Sequence, residues 1–97
     1  MSYASRTDRN QARVVKMLRE IGCSVCLLHA VGGGVPDLLV GHRGHNYLLE
    51  VKDGDKPPSR RKLNKLQQAW HGAWRGQVDV VESGEEAVSL VTGGTIR

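Results

Sequence analysis

Asp37, Glu50 and Lys52 stand in the stretch PDLLVGHRGHNYLLEVK, residues 36 to 52, which is otherwise apolar enough to be two buried strands. A lone charge buried in such a strand costs several kcal/mol or more, so it must be paired, bound to a cation or used. Side chains alternate faces along a strand, so Glu50 and Lys52 point one way and Val51 the other. If the two strands fold back symmetrically about Arg43 and Gly44, Asp37 lies opposite Glu50, with Cβ atoms about 5 Å apart. Two carboxylates at that distance repel unless a cation sits between them. A hard divalent ion such as Mg²⁺, held by carboxylates, a carbonyl, water and substrate phosphate oxygens, resolves the conflict. An ammonium on the same face can then stabilise charge developing on a phosphodiester under attack. The glycines at 32 to 34 would let a nucleic-acid backbone approach closely, or offer N–H groups to a phosphate. The plainer alternative makes Asp37 a turn residue after Pro36, and Glu50 with Lys52 a same-face pair on an exposed edge. Against it, Leu38, Leu39 and Val40, with Tyr47, Leu48 and Leu49, leave little polar alternation and read as strands covered on both faces.

The elements that must position these residues can be read outward from them. The segment from Asp8 to Ile21 places Gln11, Val14, Val15, Leu18 and Ile21 at helical spacing, and Gly22 is a suitable stop. Residues 23 to 31, CSVCLLHAV, predict a strand that the glycines break. Strands over about 37 to 41 and 46 to 52 flank the HRG turn, a hairpin. DGDKPPSRRK then carries two prolines and predicts an exposed loop. A helix is expected from about Arg60 to Trp74, with Leu63, Leu66, Gln67, Trp70 and Trp74 along an inward stripe. VDVVES is a short buried strand, and Ser83 with Glu86 forms a capping box that opens a last helix, ended by Gly93 and Gly94. The order is αβββαβα, with neither internal repeat nor low-complexity tail.

Ninety-seven residues are enough for one domain over 1–97 with a single small core. No apolar run approaches the roughly 18 residues of a membrane span, and MSYASRTDRNQAR lacks the apolar stretch of a signal peptide. The expectation is a soluble, cytoplasmic protein with no membrane partner. A formal charge of +4 suits a polyanionic partner without demanding one. Cys23 and Cys26 have CxxC spacing, but no second pair completes a zinc site, and on a strand the two face opposite sides. They read as core or half-buried thiols. A phosphate-binding loop at the glycines is disfavoured because no Lys-Ser/Thr follows them.

Pro36-Asp37 followed by Glu50-Val51-Lys52 resembles the PD-(D/E)XK nuclease motif. G-V-P-D-L-L-V, L-L-E-V-K, and a helix with Leu63, Gln67 and Trp70 before W-R-G at 74 to 76 are more closely similar to the VRR-NUC family of that superfamily, from Asn10 to about Ala87. The resemblance implies an α/β, restriction-endonuclease-like αβββαβ core with a mixed central sheet flanked by helices. It implies Mg²⁺- or Mn²⁺-dependent cleavage of DNA, with branched or structured DNA such as four-way (Holliday) junctions as substrate. Stand-alone members are mainly bacterial and phage proteins. Carried over, Asp37 and Glu50 would be metal ligands, the Val51 carbonyl a further ligand, Lys52 the catalytic lysine, and Gln67 a residue at the site's edge orienting a phosphate or Lys52. Family members commonly carry Asn-Glu early in the first helix, whereas here the pair is Asn10-Gln11. That change removes one metal-ligand charge and puts a second metal in question.

The remaining candidates have two readings each. Gln11 is a contributor to the site or the far half of a capping box with Asp8. Gln67 serves the site or hydrogen-bonds the sheet. Trp70 and Trp74 read as core or dimer-interface residues rather than base-stacking platforms. His42, His45 and His71 read as turn or surface residues. Arg43 at the hairpin tip, with Lys56, Arg60, Arg61, Lys62 and Lys65, would neutralise DNA phosphates or simply form a solvated face. The function expected is a homodimeric, structure-selective endonuclease. The alternative is a nucleic-acid-binding module on the same fold without turnover.

Overall fold

The computed structural model describes residues 5–94. Helix α1 (Ser5–Glu20) opens the chain, followed by β1 (Ser24–Leu27), β2 (Leu38–His42) and β3 (His45–Val51). A 3₁₀ turn at Pro58–Arg60 precedes helix α2 (Lys65–Ala73), strand β4 (Asp79–Val81) and helix α3 (Gly84–Val91). The sheet order is β1-β2-β3-β4, antiparallel among the first three strands and parallel between β3 and β4, as a helical crossover through α2 allows.

The β2–β3 hairpin has the expected mirror about Arg43 and Gly44, with Leu38 paired to Leu49 and His42 to His45. Its two-residue turn has positive φ at both central positions, 50° at Arg43 and 84° at Gly44, the turn whose twist matches that of the flanking strands. One sheet face packs on α1 and α3. Val14, Val15 and Leu18 of α1 meet Leu38, Val40, Leu49, Val51 and Val81 of the sheet and Ala87 and Val91 of α3, all buried. Each buried Val or Leu of this set contributes roughly 1.5–3 kcal/mol. Among the described residues, no helix is long and apolar enough to cross a membrane.

Several expectations need correction. Strand β1 ends at Leu27 rather than Val31: the Leu28 N–H makes one last rung to the Asp37 carbonyl in the same register, and the Val31 N–H then turns back to the Leu28 carbonyl. Helix α2 starts at Lys65 rather than near Arg60, because Pro57 and Pro58 set up the 3₁₀ turn and Asn64 provides the cap. Helix α1 extends back to Ser5, so Asp8 is an interior helical position rather than the helix's N-cap; Ile21 lies past the helix end and is exposed. The second face of the sheet is covered only at the Glu50 end: Leu39 and Val80, on that face, are 36% and 41% exposed. Leu66 at 63% and Trp74 at 45% likewise fail to point into a core, and α2 buries no residue.

Candidate active site

Asp37 sits one residue before β2, and continuing the ladder one step past Leu38 and Leu49 brings it across from Glu50. Its Oδ2 accepts the Val51 N–H at 2.8 Å, which pins the carboxylate against β3. Glu50 is 1% exposed, the one buried charged residue among those described. Lys52, just past the end of β3, keeps the chain in place by donating its N–H to the Val81 carbonyl at 2.9 Å. The Lys52 carbonyl in turn accepts from Asn10 Nδ2 of α1 at 2.9 Å.

Helix α2 closes over this end of the open sheet face. Its first turn is fixed by a reciprocal capping box, in which Asn64 Oδ1 accepts the Gln67 N–H and Gln67 Oε1 accepts the Asn64 N–H, both at 2.9 Å. The same Gln67 Oε1 accepts from Lys52 Nζ at 2.9 Å, and Gln67 Nε2 donates to Glu50 Oε2 at 2.9 Å. One amide thus caps the helix and joins the carboxylate to the ammonium. His71, one turn further along the same helical face, brings Nε2 to 3.7 Å from Glu50 Oε1.

Burial pushes the Glu50 carboxyl up to about 8, helped by the Asp37 charge and opposed by Lys52. Burial also lowers the His71 imidazole, and the Lys52 charge adds to that effect. Near neutral pH the Glu50 and His71 contact is therefore between two largely uncharged groups rather than an ion pair. Glu50 Oε1 and His71 Nε2 are both buried without a hydrogen-bond partner. Orphaned buried polar atoms are rare in stable folds and call for an absent partner such as an ion. A divalent cation fits that need, and it would favour the ionised carboxylate that burial opposes. Among the described residues, no three His, Cys, Asp or Glu side chains form a closed metal cage, so the remaining ligands would be a carbonyl, water and phosphate oxygens, as hard cations prefer.

Asp37, Glu50, Lys52 and Gln67 therefore lie together, whereas other expected contributors do not join them. From α1 it is Asn10 that reaches the site, and no hydrogen bond joins Gln11 to it among the described residues. Gly34 serves packing rather than phosphate approach: a Cβ there would run into the Leu66 carbonyl of α2. Arg61 is occupied by Glu82 at 2.9 Å. Arg43, Arg60, Lys62 and Lys65 are exposed, and Lys56 is half-buried. Cys23 is buried, its thiol pushed up by burial and 3.5 Å from His42 Nδ1, while Cys26 is exposed, and both are free thiols. His71, expected to be a turn or surface residue, is instead largely buried against Glu50, and sequence reasoning missed it. Its spacing of four from Gln67 was the available signal.

A four-stranded mixed sheet flanked by helices, with carboxylates and a lysine at one end of its open face, is the architecture of a nuclease-type α/β domain. Among solved structures the chain is similar to one described as a VRR_NUC domain, at 28% identity, covering 88% of this chain and 92% of that one, with a TM-score of 0.63. The fold is thus the VRR_NUC fold. No family model and no curated protein matches the chain.

Proposed function

We propose that the chain is a metal-dependent DNA endonuclease of the PD-(D/E)XK type, a single stand-alone domain of the bacterial and phage kind, cutting branched DNA such as four-way junctions as a homodimer. The observation that carries this reading is Glu50, a carboxylate buried at 1% exposure with one unpartnered oxygen, beside Asp37 and on the face of Lys52. Nuclease folds of this type typically use divalent metals; a bound Mg²⁺ or Mn²⁺ supplies Lewis-acid polarisation of the scissile phosphate. Asp37, Glu50 and the Val51 carbonyl would hold it.

The chain's own groups supply the rest. The Lys52 ammonium, held by Gln67 Oε1, stabilises charge that develops on the phosphate oxygens. Gln67 keeps both Lys52 and Glu50 in position, and Asn10 ties the Lys52 backbone to α1. Arg43, Lys56, Arg60, Lys62 and Lys65 bind backbone phosphates with little sequence preference, so affinity drops steeply with salt. Arg61 contributes less than these because of its pairing with Glu82.

The test is cleavage of labelled single-stranded, duplex, flap and four-way-junction DNA with Mg²⁺, Mn²⁺ or EDTA, comparing wild type with Lys52→Ala. Activity lost with EDTA, and reduced at least about 100-fold by Lys52→Ala while DNA binding persists, is the expected outcome. Cleavage that survives the substitution removes Lys52 from its role. The second reading, a binding module without turnover, is motivated by Gln11 in place of an acid and by the lack of a closed three-donor cage among the described residues. Intact DNA binding with no cleavage under any metal would establish it instead.

A further inference from the structure

Two buried atoms face each other across the floor of the site. Glu50 Oε1 and His71 Nε2 are 3.7 Å apart, beyond hydrogen-bonding distance, and neither has another partner. A simple structural imidazole–carboxyl pair would close to about 2.8 Å. Two donors that share one cation, each about 2.0–2.2 Å from it, instead stand roughly 3–4 Å apart. The gap is held by α2 itself, because Gln67, one turn before His71, is tied to Glu50, Lys52 and Asn64. His71 is also braced by the edge of Trp70, with ring centroids 5.9 Å apart.

Resting on the metal-nuclease reading, we propose that His71 is a nitrogen ligand for the cation held on Glu50 Oε1, and that it biases the site toward Mn²⁺ over Mg²⁺. Imidazole suits first-row transition metals, whereas Mg²⁺ takes oxygen ligands and keeps its waters. An all-oxygen site built from Asp37, Glu50 and a carbonyl would discriminate little. His71 changes that without adding charge, and it approaches from α2, a direction that neither β2 nor β3 can supply.

The experiment is pulsed electron paramagnetic resonance of Mn²⁺ added to the full chain without DNA, in which nitrogen directly bound to the metal gives ¹⁴N coupling. Wild type should show that coupling, and His71→Gln should lose it. The sequence has four histidines, so His29→Gln, His42→Gln and His45→Gln combined leave only His71 and should keep the coupling. Mn²⁺ affinity should fall about tenfold in His71→Gln while Mg²⁺ affinity, measured by competition, changes less than about twofold. If His71→Gln does not fold, the three-histidine variant decides the matter alone, since loss of ¹⁴N coupling there overturns the assignment. Mn²⁺ bound in a Glu50-dependent manner without ¹⁴N coupling overturns the proposal and leaves the nuclease reading standing. No Mn²⁺ binding at all overturns both.

Discussion

A carboxyl group that is 1% exposed, with a second carboxylate beside it, ionises only against its surroundings. Glu50 is raised from an ordinary 4.5 to about 8 in the folded chain, while unfolding returns it to the ordinary value. The folded state therefore holds this proton more tightly than the unfolded state does. The associated stability is fully present below about 4.5 and is lost as pH rises through about 8. Metal-free protein is thus expected to lose on the order of a few kcal/mol between pH 5 and 8, read as a falling Tm. Glu50→Gln should flatten that profile and melt higher than wild type at pH 8; a wild-type profile that rises over this range would show Glu50 to be ionised in the apo fold. The placement of Asp37, Glu50 and Lys52 was legible because strand alternation and a two-residue hairpin turn are local rules. His71 was not, because its contact requires knowing both the phase of α2 and that α2 lies over Glu50.

At the scale of elements, α2 is the piece whose position matters most to the site and whose burial is least. It buries no residue, and its attachment is polar through Gln67 and steric through the Gly34 loop. The helix starts where Asn64 caps it, which the favourable helix formers at 60 to 62 concealed in the sequence. Similarly, the apolar run after Cys26 looked like continuing strand, although the Val31 N–H turns back to the Leu28 carbonyl and ends it. Gly33 and Gly34 both have positive φ, 68° and 87°, but only Gly34 abuts α2, since a Cβ at Gly33 meets nothing. Gly33→Ala should therefore cost only about 1 kcal/mol of backbone strain. Gly34→Ala should cost roughly 2–4 kcal/mol, because the Leu66 backbone must also move. The two tryptophans, Trp70 and Trp74, stack at 4.6 Å at the end of α2, so their fluorescence reports this helix specifically. Urea titrations should show the larger loss, with a shifted native-state emission, for Gly34→Ala alone. Equal losses and unchanged emission in both variants would mean that the glycine loop does not position α2.

Over the whole molecule, the face of the sheet that carries the site stays open beyond α2. A groove lined by Leu39, Leu48, Trp74 and Gln77 runs along it, and exposed Val80 lies on the same face. The sequence pattern could not reveal this, because continuous apolar residues in strands look the same whether the second cover is a helix of the same chain or another molecule. A second copy is the cover that the proposed function calls for, since a two-fold pair of sites matches the symmetry of a four-way junction. A standard interface would use about 800 Å² of each copy's 6434 Å² surface, a share that the groove, Leu66 and Val80 can anchor. Because Leu39 is exposed in the single chain, Leu39→Glu should leave the fold intact while placing two like charges at the centre of the pair. Sedimentation velocity at tens of micromolar should then find wild type at twice the mass of its 10.6 kDa chain and the variant at the single-chain mass. The variant should also lose paired incision of a four-way junction while still nicking single sites. A wild-type monomer that cuts both arms of the junction as efficiently as expected of a pair would remove the dimer, and the open apolar face would then have to be accounted for by contact with the DNA itself.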